Sequence, residues 1–275
     1  MEDYKGKVVV ITGGTSGLGH AFAEILGEKG ARLIITARNA EKGAKVEAEF
    51  KEAGYDARFI EQDITSEESW NQLALAVKSE YGTVDYLFNN AGVMLQPNAL
   101  MKTTMNDWRW IVDTNFWGSL YGLHVFSSLM FTQETGGRII TTSSTAGVSA
   151  FSGWAPYSVT KTALLRLVEN YQTEAVKFNL DKVKYNVSLP GVFESEIANS
   201  SLKRGDDYNN IGGNGKEMPL SVAHTETGDR LGMLTSKEVA QSVIDGIDAG
   251  DFYLLPHADL TECVVNAETD AINNN

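Results

Sequence analysis

The sequence predicts a doubly wound α/β fold, a single parallel seven-stranded sheet with helices on both faces. Three observations predict it. Short β-branched runs alternate with longer amphipathic stretches along most of the chain. The first such run ends in a glycine-rich turn that opens a helix. No repeat, linker or low-complexity stretch divides the 275 residues, a length that suits one domain of this kind.

Strand one reads over 7–12, where Val8-Val9-Val10-Ile11 is apolar at consecutive positions, as a strand covered on both faces must be. The turn Gly13-Gly14-Thr15-Ser16-Gly17 follows, and a helix over 17–29 places Leu18, Ala21, Phe22, Ile25 and Leu26 on one face. Strand two, 32–37, precedes a helix over 40–53; strand three, 57–62, leads through Asp63-Ile64 to a helix over 66–81, capped by Thr65 or Ser66 with Asp63 left free. Strand four is expected at 84–89, a long helix at 105–131, and strand five at 138–143 after the Gly136-Gly137 turn. A helix over 156–178, strands at 183–189 and 252–255, and a helix over 236–249 complete the pattern. Alternation of this kind requires right-handed crossovers and a parallel sheet. The segment 192–234 breaks the rhythm, with Gly205, Gly212, Gly213, Gly215 and Pro219 among clustered Asp and Asn. A long irregular stretch inside a compact domain is either functional or disordered. The domain is thus expected over 1–257, including this loop, with 258–275 as a C-terminal tail.

Composition excludes several function classes. A formal net charge of −13 disfavours nucleic acid and anionic membranes as partners. One cysteine, Cys263, forbids an intramolecular disulfide and suggests a reducing compartment. No apolar run is long enough to span a bilayer, and Met1-Glu2-Asp3-Tyr4-Lys5 is charged where a signal peptide would be apolar, so a cytoplasmic location is expected. His20, His124, His224 and His257 are scattered, and no metal site is expected.

The chemistry centres on Tyr157 and Lys161, one helical turn apart on one face. An ammonium beside a phenol favours the phenolate and is expected to lower a pKa that starts near ~10, at about 1.4 kcal/mol per unit. Ser144 lies 13 residues upstream at the end of the Arg138-Ile139-Ile140-Thr141-Thr142 strand, the edge where open α/β sheets bind ligands. The glycine turn lets a pyrophosphate approach backbone N–H groups at a helix amino terminus.

Over roughly 5–255 these residues resemble the short-chain dehydrogenase/reductases. The resemblance rests on Thr12-Gly13-x-x-x-Gly17-x-Gly19, Asp63-Ile64, Asn89-Asn90-Ala91-Gly92, Asn115, Ser144, Tyr157-x-x-x-Lys161 and Pro190-Gly191, in that family's order and spacing. It implies a Rossmann sheet of order 3-2-1-4-5-6-7, a substrate lid at 192–234 and carbonyl–alcohol oxidoreduction. Asn115, Ser144, Tyr157 and Lys161 would be catalytic. Ser144 and Tyr157 would hold the substrate oxygen, Tyr157 would donate its proton as hydride arrives, and Lys161 would tune it; the helix would be locally distorted at Asn115, which would hold a water connecting Lys161 to solvent as a proton relay. Gly13, Thr15, Ser16, Gly17, Leu18 and Gly19 would contact the cofactor, with Asp63 and Ile64 at the adenine and Asn90, Ala91 and Gly92 at its ribose. Tyr157 and Lys161 would reach the nicotinamide ribose, and Pro190, Gly191, Val192 and Ser195 the nicotinamide itself, Ser195 standing where Thr is usual.

Strand two ends with Ala37 where an NAD site carries an acid, and Arg38 follows it. A guanidinium suits a 2′-phosphate, so NADP(H) is expected over NAD(H). Trp117, Trp154, Phe151, Met94 and Leu95 fall near the expected cleft and suit a bulky apolar substrate such as a steroid or aryl ketone. The resemblance further implies a homodimer or homotetramer built on the helices at 105–131 and 156–178. An NAD-dependent alcohol dehydrogenase and a non-catalytic dinucleotide-binding regulator are the alternatives.

Overall fold

The computed structural model describes residues 2–204, 208 and 233–257. Most of the expected loop, the tail at 258–275, Cys263 and His224 lie outside the described residues. The seven strands are β1 (Val8–Thr12), β2 (Arg32–Ala37), β3 (Asp56–Glu61), β4 (Tyr86–Asn89), β5 (Gly137–Thr142), β6 (Val183–Ser188) and β7 (Tyr253–Leu254). They form one sheet of order β3-β2-β1-β4-β5-β6-β7, every pair parallel. The order reverses between β1 and β4, and ligands of such sheets bind in the crevice above that point.

Alternation along β1 explains the layers. Val9 and Ile11 face a core with Phe22, Ile25 and Leu26 of α1 (Gly17–Glu28) and Phe50 of α2 (Ala40–Glu52). Val8 and Val10 face the opposite core, with Trp70 and Leu73 of α3 (Glu67–Tyr81). Ser66 caps α3 by accepting from Ser69 N at 3.2 Å, and Gly82 ends it at φ 75°. Val84 falls outside β4 because its main chain pairs with the Gln133 side chain, Val84 N donating to Gln133 Oε1 and Val84 O accepting from Gln133 Nε2. Asp85 leads into β4, its N–H donating to Val8 O and its carboxylate accepting from Val8 N and Lys7 Nζ.

The helix expected at 105–131 is interrupted. α4 (Met105–Ile111) runs into a π-helical turn, Val112–Trp117, before α5 (Gly118–Phe131) resumes. Helix α6 (Ala155–Lys177) carries Tyr157 and Lys161, and α7 (Ser236–Ala249) opens on a Thr235–Glu238 capping box. The loop after β6 leaves and returns at one point, where Phe193 bridges Leu234 and Glu194 N donates to Leu234 O at 3.1 Å. Its first turn, Ile197–Lys203, is 3-10 helix, and Arg204 then pairs with the buried Asp107 of α4. Among the described residues no helix is long and apolar enough to cross a membrane.

Candidate active site

The glycine turn is shaped by close approach. Gly13 has φ 68°, and the N–H groups of Gly13 and Gly14 both donate to Thr36 O, at 2.8 and 3.2 Å. A Cβ on Gly19 would lie 2.4 Å from Gly13 O, so only glycine lets α1 start directly on the turn. Ser16 precedes α1 with its hydroxyl making no capping bond, Thr15 is buried, and Leu18 turns its side chain into the core. What Leu18 presents to the crevice is therefore main chain. The cradle is laced to the neighbouring strands through Thr12. Its Oγ1 accepts from Asn90 N and Ala91 N, both at 3.0 Å, and its carbonyl accepts from Asn90 Nδ2 at 3.1 Å. Thr142 Oγ1 donates to Asn90 Oδ1 at 3.2 Å, so β1, β4 and β5 end at one joined surface. Asn89 points elsewhere and braces α5 by donating to Ser119 O at 2.7 Å.

Beside this surface lie the four residues marked for chemistry. Ser144 ends β5 and opens a 3-10 turn, its Oγ accepting from Ala146 N at 3.1 Å and donating to Pro190 O at 3.3 Å. Tyr157, on the first turn of α6, is buried close to Ser144, whose hydroxyl favours the phenolate. Lys161 is 3% exposed; its Nζ donates to Thr142 O at 2.7 Å and lies 5.5 Å from the Tyr157 ring centroid. Asn115 sits in the π turn with no exposure. Gly92 joins the group: a Cβ there would lie 3.3 Å from Asn115 Oδ1 and 3.5 Å from Lys161 Nζ.

Burial dominates the electrostatics. It pushes the Tyr157 phenol up to about 12, against a smaller lowering by Ser144, and pushes Lys161 down to about 8. The expectation that Lys161 lowers Tyr157 is thus corrected. Desolvation disfavours both charged forms, and the ammonium loses its proton before the phenol does.

The sequence model of the short chain dehydrogenases matches residues 7–205. The chain belongs to the short-chain dehydrogenase family. It is 28% identical to a C alpha-dehydrogenase of a Sphingobium species over 95% of this chain and 84% of that protein. Its structure resembles a short-chain dehydrogenase/reductase from Burkholderia phymatum in complex with NAD, at TM-score 0.89 and 27% identity, over 100% of this chain and 97% of that one. It also resembles a metagenomic short-chain oxidoreductase in complex with NADP, at TM-score 0.64 and 30% identity, over 70% of this chain and 86% of that one.

In this short-chain dehydrogenase Asn115, Asp63 and Trp117 differ from expectation, whereas Arg38, Glu194, Phe151 and Trp154 lie as expected. The Asn115 amide is held by main chain: Oδ1 accepts from Val93 N at 2.8 Å, and Nδ2 donates to Val93 O at 2.9 Å and Thr160 Oγ1 at 3.2 Å. A water held by that amide would have to displace one of these bonds. Asp63 is not free, because its Oδ1 accepts from Thr65 N at 3.0 Å and Thr65 Oγ1 at 2.8 Å; it remains exposed beside the buried Ile64. Arg38 is exposed, with no hydrogen bond or ion pair among the described residues. Ser195 accepts from Ile197 N at 3.1 Å, and Glu194 is exposed. Phe151 and Trp154 pack with Val93, Met94, Leu95, Trp110 and Tyr157 as an apolar wall. Trp117 does not join it. It is 44% exposed and stacks on Tyr121, lining a separate cavity with Thr65, Asp113 and Tyr208.

Sequence reasoning missed two residues. Thr160 accepts from Asn115 and donates to Tyr157 O at 2.8 Å, linking the π turn to α6; its place beside Lys161 on the buried helix face was the available signal. His257, past β7, accepts from Gly191 N at 3.0 Å through Nδ1, and nothing local in the sequence marks it. Among the described residues no cluster of His, Cys, Asp and Glu could hold a metal.

Proposed function

We propose that this oxidoreductase is an NADP(H)-dependent carbonyl reductase interconverting a bulky apolar ketone and its secondary alcohol. The convergence of Ser144, the protonated Tyr157 and Lys161 beside the glycine turn carries this reading. A bound nicotinamide supplies the hydride in reduction and accepts it in oxidation. The cradle suits a dinucleotide: Gly13–Gly19 would hold the pyrophosphate, Asp63 and Ile64 the adenine, Asn90–Gly92 the ribose, and Pro190–Val192 with Ser195 the nicotinamide.

The residues then divide the work. Ser144 and Tyr157 donate hydrogen bonds to the substrate oxygen. The Ser144 bond to Pro190 is long at 3.3 Å, so that hydroxyl redirects at low cost. Donors fixed before reaction stabilise negative charge that grows on that oxygen in the transition state. Tyr157, with its pKa pushed up to about 12, holds its proton through the neutral range and delivers it to the oxygen. This protonation favours the reductive direction. Lys161 has three donors and gives one to Thr142 O; the other two would be available to the nicotinamide ribose and to a water that resupplies Tyr157. Because the Asn115 amide is engaged with Val93, its part in the relay would fall to the main chain of the π turn.

Ala37, Arg38 and the uncommitted Ser16 hydroxyl support NADP(H). Arg38→Asp should weaken NADPH binding about 10–100-fold, the worth of charge-assisted hydrogen bonds, and leave NADH unchanged or tighter. Equal affinities of the native protein for both cofactors would contradict the preference. The apolar wall supports a bulky substrate, and its Trp154 Nε1, buried with no hydrogen-bond partner among the described residues, offers one donor to a polar group on it. Consumption of NADPH with a panel of steroid and aryl ketones tests the activity; no turnover across the panel, with NADPH bound, would favour a regulator instead. The same reading extends to a homodimer or homotetramer through α5 and α6, where Phe131, Val159 and Val176 are exposed.

A further inference from the structure

We propose that His257 is a positioning residue for the nicotinamide half of the cofactor, its imidazole fixing the main chain at Gly191 and Val192. The inference rests on the dinucleotide reading above. Its basis is the register of β6 and β7. Val187 N donates to Phe252 O at 3.1 Å and Leu189 N to Leu254 O at 2.9 Å. A parallel ladder advances two residues at a time, so the next donor, Gly191 N, would be expected to meet the carbonyl of residue 256. The chain instead turns at Pro256 and His257, and the imidazole takes the place of the strand. Gly191 N donates to His257 Nδ1 at 3.0 Å.

The contact lies next to the chemistry. Pro190 has no N–H, and its carbonyl accepts from Thr145 N at 3.0 Å and Ser144 Oγ at 3.3 Å. Residues 190 and 191 are thus gripped from two sides, by the Ser144 turn and by His257. The ring is 9% exposed and also contacts the Val192 main chain. Burial moves its pKa below the usual histidine value, consistent with a neutral ring whose Nδ1 lone pair is available to Gly191. Any looseness here would be felt where hydride and carbonyl must align. Misplacement on the order of 1 Å can cost about 100-fold in rate.

Three variants of the full chain test the role: His257→Phe keeps ring volume without an acceptor, His257→Asn puts an oxygen near the Nδ1 position, and His257→Gln puts one near Nε2. Binding of NADPH and of 2′-phospho-ADP-ribose, which lacks the nicotinamide, would be measured by calorimetry alongside ketone turnover. We expect His257→Phe and His257→Gln to bind 2′-phospho-ADP-ribose as the native protein does, to bind NADPH more weakly, and to turn over about tenfold more slowly or worse. His257→Asn should recover most of both. Native-like NADPH binding and turnover in His257→Gln would overturn the proposal, as would equal weakening of both ligands or Asn performing no better than Gln. A native protein that binds neither ligand would sink the NADP(H) reading, and one that also fails to bind NADH and ADP-ribose would sink the dinucleotide reading itself. Tight NADPH binding with all three variants unaffected would sink only the role of His257.

Discussion

Tyr157→Phe is expected to lower ketone turnover about 10²–10⁴-fold, the usual contribution of a positioned general acid, while NADPH affinity stays within about twofold of native. The change removes one hydroxyl from a buried ring and leaves the packing against Val93, Trp154 and Ala146 intact. Stability should therefore change little, and thermal melting of the variant checks this. The loss should appear in kcat, because the phenol's proton matters as charge develops on the substrate oxygen. A variant that reduces ketones at the native rate would remove Tyr157 from the mechanism.

Lys161→Met is expected to lower kcat about 10²–10³-fold, the scale of losing a preorganised electrostatic donor, and to change the pH profile. The sign follows from burial. Lys161 is depressed to about 8, so it is charged below that pH and neutral above it. Tyr157, pushed up to about 12, keeps its proton across this range and adds no limb of its own. Reductive kcat/KM of the native protein should be level below about pH 8 and fall about tenfold per unit above it, and the limb should be absent in Lys161→Met. A native profile that stays flat well above pH 8 would show that the Lys161 proton is not required.

Much of this architecture was legible because the strands are buried on both faces. Val8-Val9-Val10-Ile11 and Leu33-Ile34-Ile35 admit few other readings, and caps such as Ser66 and Thr235 sit where the side-chain chemistry puts them. The interruption of 105–131 was legible through the family resemblance, which implies a distortion at Asn115, and not through periodicity. A π turn changes hydrogen-bond spacing without breaking the apolar pattern, and the lone amide of Asn115 was its one trace. The state of the Tyr157–Lys161 pair was hidden. Spacing gives proximity, but the direction of each shift depends on how completely the fold excludes water from both groups. Asp63 was misread because a hydroxyl two residues on, Thr65, competes for a carboxylate that sequence alone leaves unassigned. His257 escaped because the bond that matters joins residues 66 apart in the chain.

A crystal structure of the protein with NADP⁺ tests the central claim most directly. We expect the pyrophosphate on the Gly13–Gly19 turn and the nicotinamide against Pro190 and Gly191, with its reactive face turned toward the Tyr157 hydroxyl and its ribose on Lys161. A dinucleotide bound elsewhere, or a nicotinamide placed away from Ser144 and Tyr157, would contradict it.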